Sequence, residues 1–278
     1  MKVKTLHTPN PPLIVIGMHR SGTSLLSQAL QQNSIFMGVR QNSHQEALFF
    51  MRINEEFMNL AHAHWDNPAP MTYLLENDDA VKEITAVTQE KLHMWETVTT
   101  YWGYQNALAL YRQSNPLIRW GWKDPRNSFT LPIWLNLFPN AWVIHMVRNG
   151  IDVANSLCVR EQRRKMQPDY LLSFRCMTLE GAFSLWVEYE SMCRRNSMLI
   201  APERYLQVKF EDLITHPQKT LDQIFSFMRI SSPNRKHIND FVKQINHQRA
   251  FAFKNDERLR IFYETHLRHP LMKLYGYD

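Results

Sequence analysis

The chain has 278 residues, a length at which α/β folds often form one domain, so we expect a single domain over residues 1–278. The apolar content of 44% supports a sizeable core, and the formal net charge at pH 7 is +6. The positive charges are scattered, which favours small anionic ligands over nucleic acid, and three cysteines without C-x-x-C spacing indicate free thiols in a reducing compartment. The apolar run after the polar N-terminus is too short for a signal peptide or a membrane span, which predicts a cytoplasmic protein.

The stretch from Leu13 to Ser24 predicts a strand, a tight turn and the start of a helix. Its apolar run stops at Gly17, and apolar residues return at helical spacing after Thr23, up to about Asn33. Such a turn directs backbone N–H groups and the positive end of the helix dipole at one spot, which suits a phosphate or a sulfate. The alternative is an ordinary strand-to-helix turn that uses glycine only for tightness.

The loop resembles the P-loop pattern G-x-x-x-x-G-K-[ST] at three of its four defined positions. Gly17, Gly22 and Ser24 fit, but Thr23 stands in the lysine position. That lysine reaches the β- and γ-phosphates of a nucleoside triphosphate, so its absence argues against an ATPase or a kinase. A cation inside the loop, Arg20, indicates an anion of another kind.

The region from about residue 43 to residue 116 predicts a helical insertion after the first strand–helix unit. Helical spacing extends over 47–63 and over most of 79–111, with an interruption around Gly103, and no convincing strand intervenes. An insertion at this point is a usual place for a substrate-binding lid. Its aromatic residues could stack on sugars, line an apolar slot or fill a core; they are Trp65, Tyr73, Trp95, Tyr101 and Trp102.

Three further apolar runs, at 118–123, 141–147 and 205–210, predict strands that alternate with helices. The alternation indicates a three-layer α/β fold, with helices on both faces of a central parallel sheet that is P-loop-like at its first turn. One long helix or a pair of helices is predicted over 168–196, with Leu171 facing inward, and further helices are predicted over 217–228, 233–245 and 257–274.

Cations follow the ends of three predicted strands. Arg20 follows the first, Lys123 ends the second with Arg126 nearby, and Arg148 follows the third. Open α/β sheets bind ligands at these strand ends, so the pattern predicts one pocket for a molecule with more than one anionic group. Each charge-assisted contact would contribute about 1.5–3 kcal/mol.

Two of these segments carry a family resemblance. The loop GMHRSGTSLL, residues 17–26, resembles the 5′-phosphosulfate loop of sulfotransferases that use PAPS (3′-phosphoadenosine 5′-phosphosulfate). HMVRNGIDVANSL, residues 145–157, resembles their 3′-phosphate motif, an arginine and a serine eight residues later, here Arg148 and Ser156. Residues 120–126 and 208–228 are also similar to family segments, although Phe210 stands where the family usually has tyrosine.

The resemblance implies PAPS as the donor, no metal, and a carbohydrate or small-metabolite acceptor with a hydroxyl or an amine. The family's Arg-Lys-Gly segment has no clear match, which leaves Arg249 or Lys254 as candidates near the 3′-phosphate. The donor site would then consist of His19, Arg20, Ser21, Gly22, Thr23, Ser24, Arg148 and Ser156.

Glu46 resembles the glutamate of a G-H-F-E segment in bacterial members, which makes it our candidate for the general base. His44 and Asp124 are rivals, and a capping box with Ser43 is the structural alternative for Glu46. Arg20 and Lys123 match family positions that stabilise the departing diphosphate.

Asp124 and Arg126 are assigned to the acceptor. The basic stretch Arg160 to Lys165 is either a solvated face or a gate for an anionic acceptor. Two other functional classes stay open: a P-loop kinase or NTPase relative that has lost its lysine, and a nucleotide-binding protein without catalysis.

Overall fold

The computed structural model describes residues 10–112, 118–165 and 171–278. Within these ranges, the strands form one four-stranded parallel sheet in the order β2-β1-β3-β4. Leu13 lies opposite Gly121 on one side and Trp142 on the other. The strands are β1 (Leu13–Ile16), β2 (Gly121–Lys123), β3 (Trp142–Val147) and β4 (Tyr205–Lys209).

The α-helices in the described ranges pack on both faces of this sheet. They are α1 (Thr23–Gln32), α2 (Leu48–Leu60), α3 (Met71–Leu75), α4 (Asp78–Leu92), α5 (Trp95–Tyr111), α6 (Asn127–Leu137), α7 (Gly150–Arg164), α8 (Leu179–Ser197), α9 (Phe210–Thr215), α10 (Pro217–Phe227), α11 (Arg235–Lys243), α12 (Glu257–His266) and α13 (Pro270–Leu274).

Alternate residues of β1 enter different cores, which confirms the predicted three-layer α/β fold. Leu13 and Val15 pack into a core with α1, α10 and α11, whereas Ile14 and Ile16 pack into the larger core on the other face. All four side chains are at most 1% exposed. A strand that is buried on both faces has a continuous apolar sequence, as β1 has.

Helices α2 to α5 form the predicted insertion between α1 and β2, and no strand occurs among the described residues of 43–112. Phe50 of α2 stacks on Trp122 of β2 with ring centroids 3.9 Å apart, which fastens the insertion to the sheet. Tyr101 and Trp102 are each 2% exposed. These two aromatic rings therefore belong to the core.

Two helix predictions and one burial prediction were wrong. The helix or helix pair expected over 168–196 is a single 3-10 turn, Arg175–Met177, followed by α8, which begins at Leu179 because the Thr178 side chain accepts from the Gly181 N–H; residues 168–170 lie outside the described ranges. Leu171 was expected to face inward but is 78% exposed. The helix expected over 257–274 divides into α12 and α13, since Pro270 supplies a new helix start.

None of the helices in the described parts of the chain combines the length and the apolar character needed to cross a bilayer. The three cysteines, Cys158, Cys176 and Cys193, are buried free thiols.

Candidate active site

The loop between β1 and α1 folds tightly because two glycines take positive φ angles. Gly17 has φ 132°, and a Cβ there would lie 2.3 Å from the Met146 carbonyl oxygen. Gly22 has φ 95°, and a Cβ there would lie 2.3 Å from the Phe210 ring. Gly22 also precedes α1 without any side-chain cap, so the first-turn N–H groups of α1 need partners from elsewhere. An anion at this helix end would supply them.

Ser21 has a structural role in this loop that differs from the predicted one. Its backbone N–H and its hydroxyl both donate to the Met18 carbonyl oxygen, at 3.1 and 2.6 Å, and the residue is fully buried. These donors close the turn and are not directed at a ligand. The other predicted loop residues, from His19 to Ser24, line a cavity.

This first cavity has a volume of about 400 Å³ and collects the strand-end cations that the sequence predicted to meet. It lies where β1, β2 and β3 end and where the insertion begins. The predicted residues that line it are His19, Arg20, Gly22, Thr23, Ser24, His44, Glu46, Lys123, Arg126 and Arg148.

A second cavity, of about 610 Å³, lies beside the first and is lined by Ser156 and Asp152 of α7. Arg20 Nε donates to Ser156 Oγ at 2.9 Å, and Arg148 Nη1 donates to the Arg20 carbonyl oxygen at 3.1 Å. The first loop and the third strand end therefore share one cleft. The residues that line both cavities are Arg20, Arg148, Arg160, Arg164 and Arg249.

Arg148 is 5% exposed and is fixed from several sides. Its Nη2 donates to the Arg249 carbonyl oxygen at 3.0 Å and lies 3.5 Å from Asp152 Oδ2. Its guanidinium also lies 4.5 Å from the centroid of the Phe210 ring. Burial lowers the pKa of Arg148, although Asp152 opposes this shift. The third strand end thus holds a rigid, desolvated cation.

Lys123 brings a lysine to the first loop, whose own lysine position is occupied by Thr23. Its Nζ donates to Glu46 Oε1 at 3.1 Å, to Ser24 Oγ at 3.4 Å and to the His44 carbonyl oxygen. The side chain is 1% exposed and comes from β2, next to β1 in the sheet. A lysine from the neighbouring strand therefore reaches the start of α1, where Thr23 replaces the P-loop lysine.

Glu46 lies in the cavity wall and not in a capping box, so the structural alternative was wrong. Helix α2 begins at Leu48 with Ala47 as its N-cap, and Gln45 has a positive φ of 62° that turns the chain before it. Asn42 Nδ2 donates to Glu46 Oε2 at 2.7 Å, and its Oδ1 accepts from the backbone N–H groups of Glu46 and His44. Asn42 thus positions both candidate bases.

The electrostatic surroundings leave both candidate bases deprotonated at pH 7. Burial raises the pKa of Glu46, but Lys123, the Asn42 hydrogen bond and Arg126 together hold it below its ordinary value. Burial lowers the pKa of His44, and Lys123 lowers it further while Glu46 opposes the shift. Glu46 is therefore ionised and the imidazole of His44 is neutral.

Asp124 and Arg126 occupy different positions relative to the cavity. Arg126 lines it, whereas Asp124 is fully buried behind the wall and is not among the lining residues. Asp124 accepts from Arg126 Nε at 2.9 Å and from Asn54 Nδ2 at 2.9 Å. Arg126 also pairs with Glu55. Asp124 therefore orients Arg126, and of the two residues assigned to the acceptor only Arg126 lines the cavity.

The shared cleft carries a concentrated positive charge. Burial, followed by the charges of Arg160, Arg249 and Arg148, lowers the pKa of Arg20 to about 10. Burial and the Arg160 charge also lower the pKa of His19 well below its ordinary value. Such crowding favours a ligand with several negative charges.

Asn42 and Glu55 line the first cavity but had no role in the sequence-based site, and Trp65 and Arg160 had only an open one. Asn42 could have been found from its place in the polar loop NSHQE, because asparagine commonly caps tight turns through its side chain. Trp65, Arg160 and Glu55 stand on surfaces that only the tertiary fold brings to the cavity. Across the described residues, no group of three or more His, Cys, Asp or Glu side chains is arranged to hold a metal ion.

Solved sulfotransferase domains have a similar fold. The domain from the Synechococcus PCC 7002 olefin synthase has a TM-score of 0.57 and 18% identity, with 100% of this chain and 99% of that chain covered. The domain from the curacin biosynthetic pathway has a TM-score of 0.55 and 16% identity, with 92% of this chain and 97% of that chain covered. At these identities the likeness concerns the fold alone.

No curated protein sequence matches the chain. A sequence model of the sulfotransferase family matches residues 11–234, a range that contains all strands of the described sheet and every residue of the first cavity except Arg249. The chain therefore belongs to the sulfotransferase family.

Proposed function

We propose that this protein transfers the sulfuryl group of PAPS to a hydroxyl, or an amine, of a small-molecule or carbohydrate acceptor. The observation that carries the proposal is the pair of cationic cavities that meet at Arg20 and Arg148. PAPS has an anionic group at each of two ribose carbons, and two joined cavities with separate cations suit such a molecule.

The first cavity would hold the phosphosulfate, and the second would hold the 3′-phosphate. The first-turn N–H groups of α1, with Thr23, Ser24 and Lys123, are the donors available to the phosphosulfate. Arg148 and Ser156 would bind the 3′-phosphate, and Arg20 would stand between the two ends of the donor. His19 lies at the wall of the first cavity, against Trp65.

In the proposed reaction, the acceptor oxygen attacks sulfur and forms a new O–S bond. The bond between sulfur and the bridging oxygen breaks, and its electron pair stays on the departing 3′,5′-diphosphoadenosine. Lys123 and the α1 N–H groups would stabilise the negative charge on that oxygen. Glu46 would take the acceptor proton, with His44 as the second candidate.

The donor and reaction are tested by calorimetry and by transfer of radiolabel from PAPS. We expect 3′,5′-diphosphoadenosine to bind at least about tenfold more tightly than ATP, because ATP lacks the 3′-phosphate that Arg148 would hold. Label should move from PAPS to an acceptor without added metal. ATP turnover with Mg²⁺ would favour the NTPase alternative. Diphosphoadenosine binding without transfer to any acceptor class would favour a non-catalytic nucleotide-binding protein.

A further inference from the structure

Arg160 and Arg164, near the end of α7, line both cavities, yet neither is needed for the proposed donor contacts. Among the described residues, eight Lys or Arg and three Asp or Glu side chains line the two cavities, a net charge of +5 with histidines neutral. PAPS carries roughly four negative charges at neutral pH. Two further buried carboxylates, Asp124 and Glu161, pair with Arg126 and Arg160 without lining either cavity, so a site for a second anion depends on how Arg160 is placed and not on surplus charge.

Arg160 is held in a defined orientation. Its Nε donates to Glu161 Oε1 at 2.8 Å, and its guanidinium carbon lies 4.5 Å from the centroid of the Trp65 ring. Its side chain is 13% exposed, and its Nη2 is buried without a hydrogen-bond partner. A buried charged N–H group without a partner is unfavourable, so an anion brought to this guanidinium would gain a strong contact.

The position of Trp65 shows which wall of the cleft the Arg160 guanidinium adjoins. Trp65 belongs to the helical insertion and lines the first cavity together with Glu46 and His44, but it does not line the second. Its carbonyl oxygen accepts from Tyr189 Oη at 2.8 Å, which fixes the segment. Arg160 lines both cavities, and its contact with Trp65 places its guanidinium beside the wall that carries the candidate bases.

We propose that the acceptor is a small hydroxylated molecule with an anionic group of its own, a carboxylate or a phosphate, which Arg160 binds beside Trp65. The proposal rests on the proposed function. Arg164, which lines the same wall, adds a second positive charge at this end of the cleft. The anion would hold the acceptor while its hydroxyl faces Glu46.

Matched probe pairs test the acceptor class. The pairs are glycerol 3-phosphate with glycerol, 3-hydroxybutyrate with its methyl ester, and methyl β-D-glucuronide with methyl β-D-glucoside. Label transfer from PAPS gives kcat/KM, and calorimetry gives binding to the enzyme–diphosphoadenosine complex. In at least one pair, we expect the wild-type chain to prefer the anionic member by about tenfold or more.

Variants of Arg160 separate acceptor binding from donor binding. We expect Arg160→Gln to reduce the preference for the anionic member by about tenfold, and Arg160→Lys to keep part of it. The affinity for diphosphoadenosine should stay within about threefold of wild type, less than the loss of one charge-assisted contact. Arg195→Gln is the matched control, because Arg195 lies on α8, is 57% exposed and lines neither cavity.

The outcomes distinguish this proposal from the proposed function. A wild-type chain that does not bind diphosphoadenosine overturns both. A chain that binds it, but uses or binds the members of every pair equally or not at all, overturns the acceptor proposal alone. A loss of diphosphoadenosine affinity in Arg160→Gln that matches its loss of anionic preference would assign Arg160 to the donor, and would also overturn the acceptor proposal.

Discussion

Lys123→Met is expected to lower kcat by about 10²–10³-fold, because it removes a preorganised cation from the position where charge develops on the bridging oxygen. Methionine keeps the length and the apolar stem of the side chain. The variant should also be less stable by about 3–5 kcal/mol, because Glu46 loses its closest cation in a buried position. Steady-state kinetics and thermal unfolding measure the two effects separately.

The double variant Lys123→Met with Glu46→Gln separates catalysis from folding. It removes both charges of the buried pair, so we expect it to recover most of the lost stability while turnover stays low. If Lys123→Met alone unfolds like the wild-type chain and keeps its full kcat, the proposed role of Lys123 is contradicted.

Glu46→Gln is expected to lower kcat by about 10²–10⁴-fold, the range of a lost general base. The amide keeps the size of the side chain, so the affinity for diphosphoadenosine should change little. Titration calorimetry and label transfer from PAPS together check this combination of intact binding and lost turnover.

Glu55→Gln is the matched control for Glu46→Gln. Glu55 lines the same cavity and pairs with Arg126, but its side chain is 47% exposed and lies outside the Lys123 contact. Turnover should therefore fall far less than in Glu46→Gln. If Glu46→Gln keeps its turnover while His44→Asn loses it, His44 is the base and our assignment is wrong.

The sequence predicted the fold and the meeting of the strand-end cations because both depend on local patterns. Continuous apolar runs define strands that are buried on both faces, and parallel strands bring their carboxyl ends to one edge. Arg20, Lys123 and Arg148 therefore had to come together once the strands were correctly ordered. The tight loop was equally visible, since Gly17 and Gly22 occupy positions where a Cβ would clash.

Other parts of the site depend on contacts between segments that are distant in sequence. The charged end of α7 looks like a solvated helix face, and only the fold brings Arg160 over Trp65, 95 positions earlier in the numbering of the chain. Asp124 directly follows β2 and stands nearer to its end than Arg126 does, but its contacts with Asn54 and Arg126 draw it behind the cavity wall. Helix propensity likewise could not locate the Thr178 cap that begins α8.

The binding of diphosphoadenosine and of AMP to Arg148→Ala tests the central claim, that two separate cationic sites hold the two ends of the donor. The two nucleotides share the 5′-phosphate and differ in the 3′-phosphate, so AMP binding also controls for folding. We expect the variant to lose about tenfold to a hundredfold in affinity for diphosphoadenosine and less than about threefold for AMP. Equal losses for both nucleotides would contradict the two-site account.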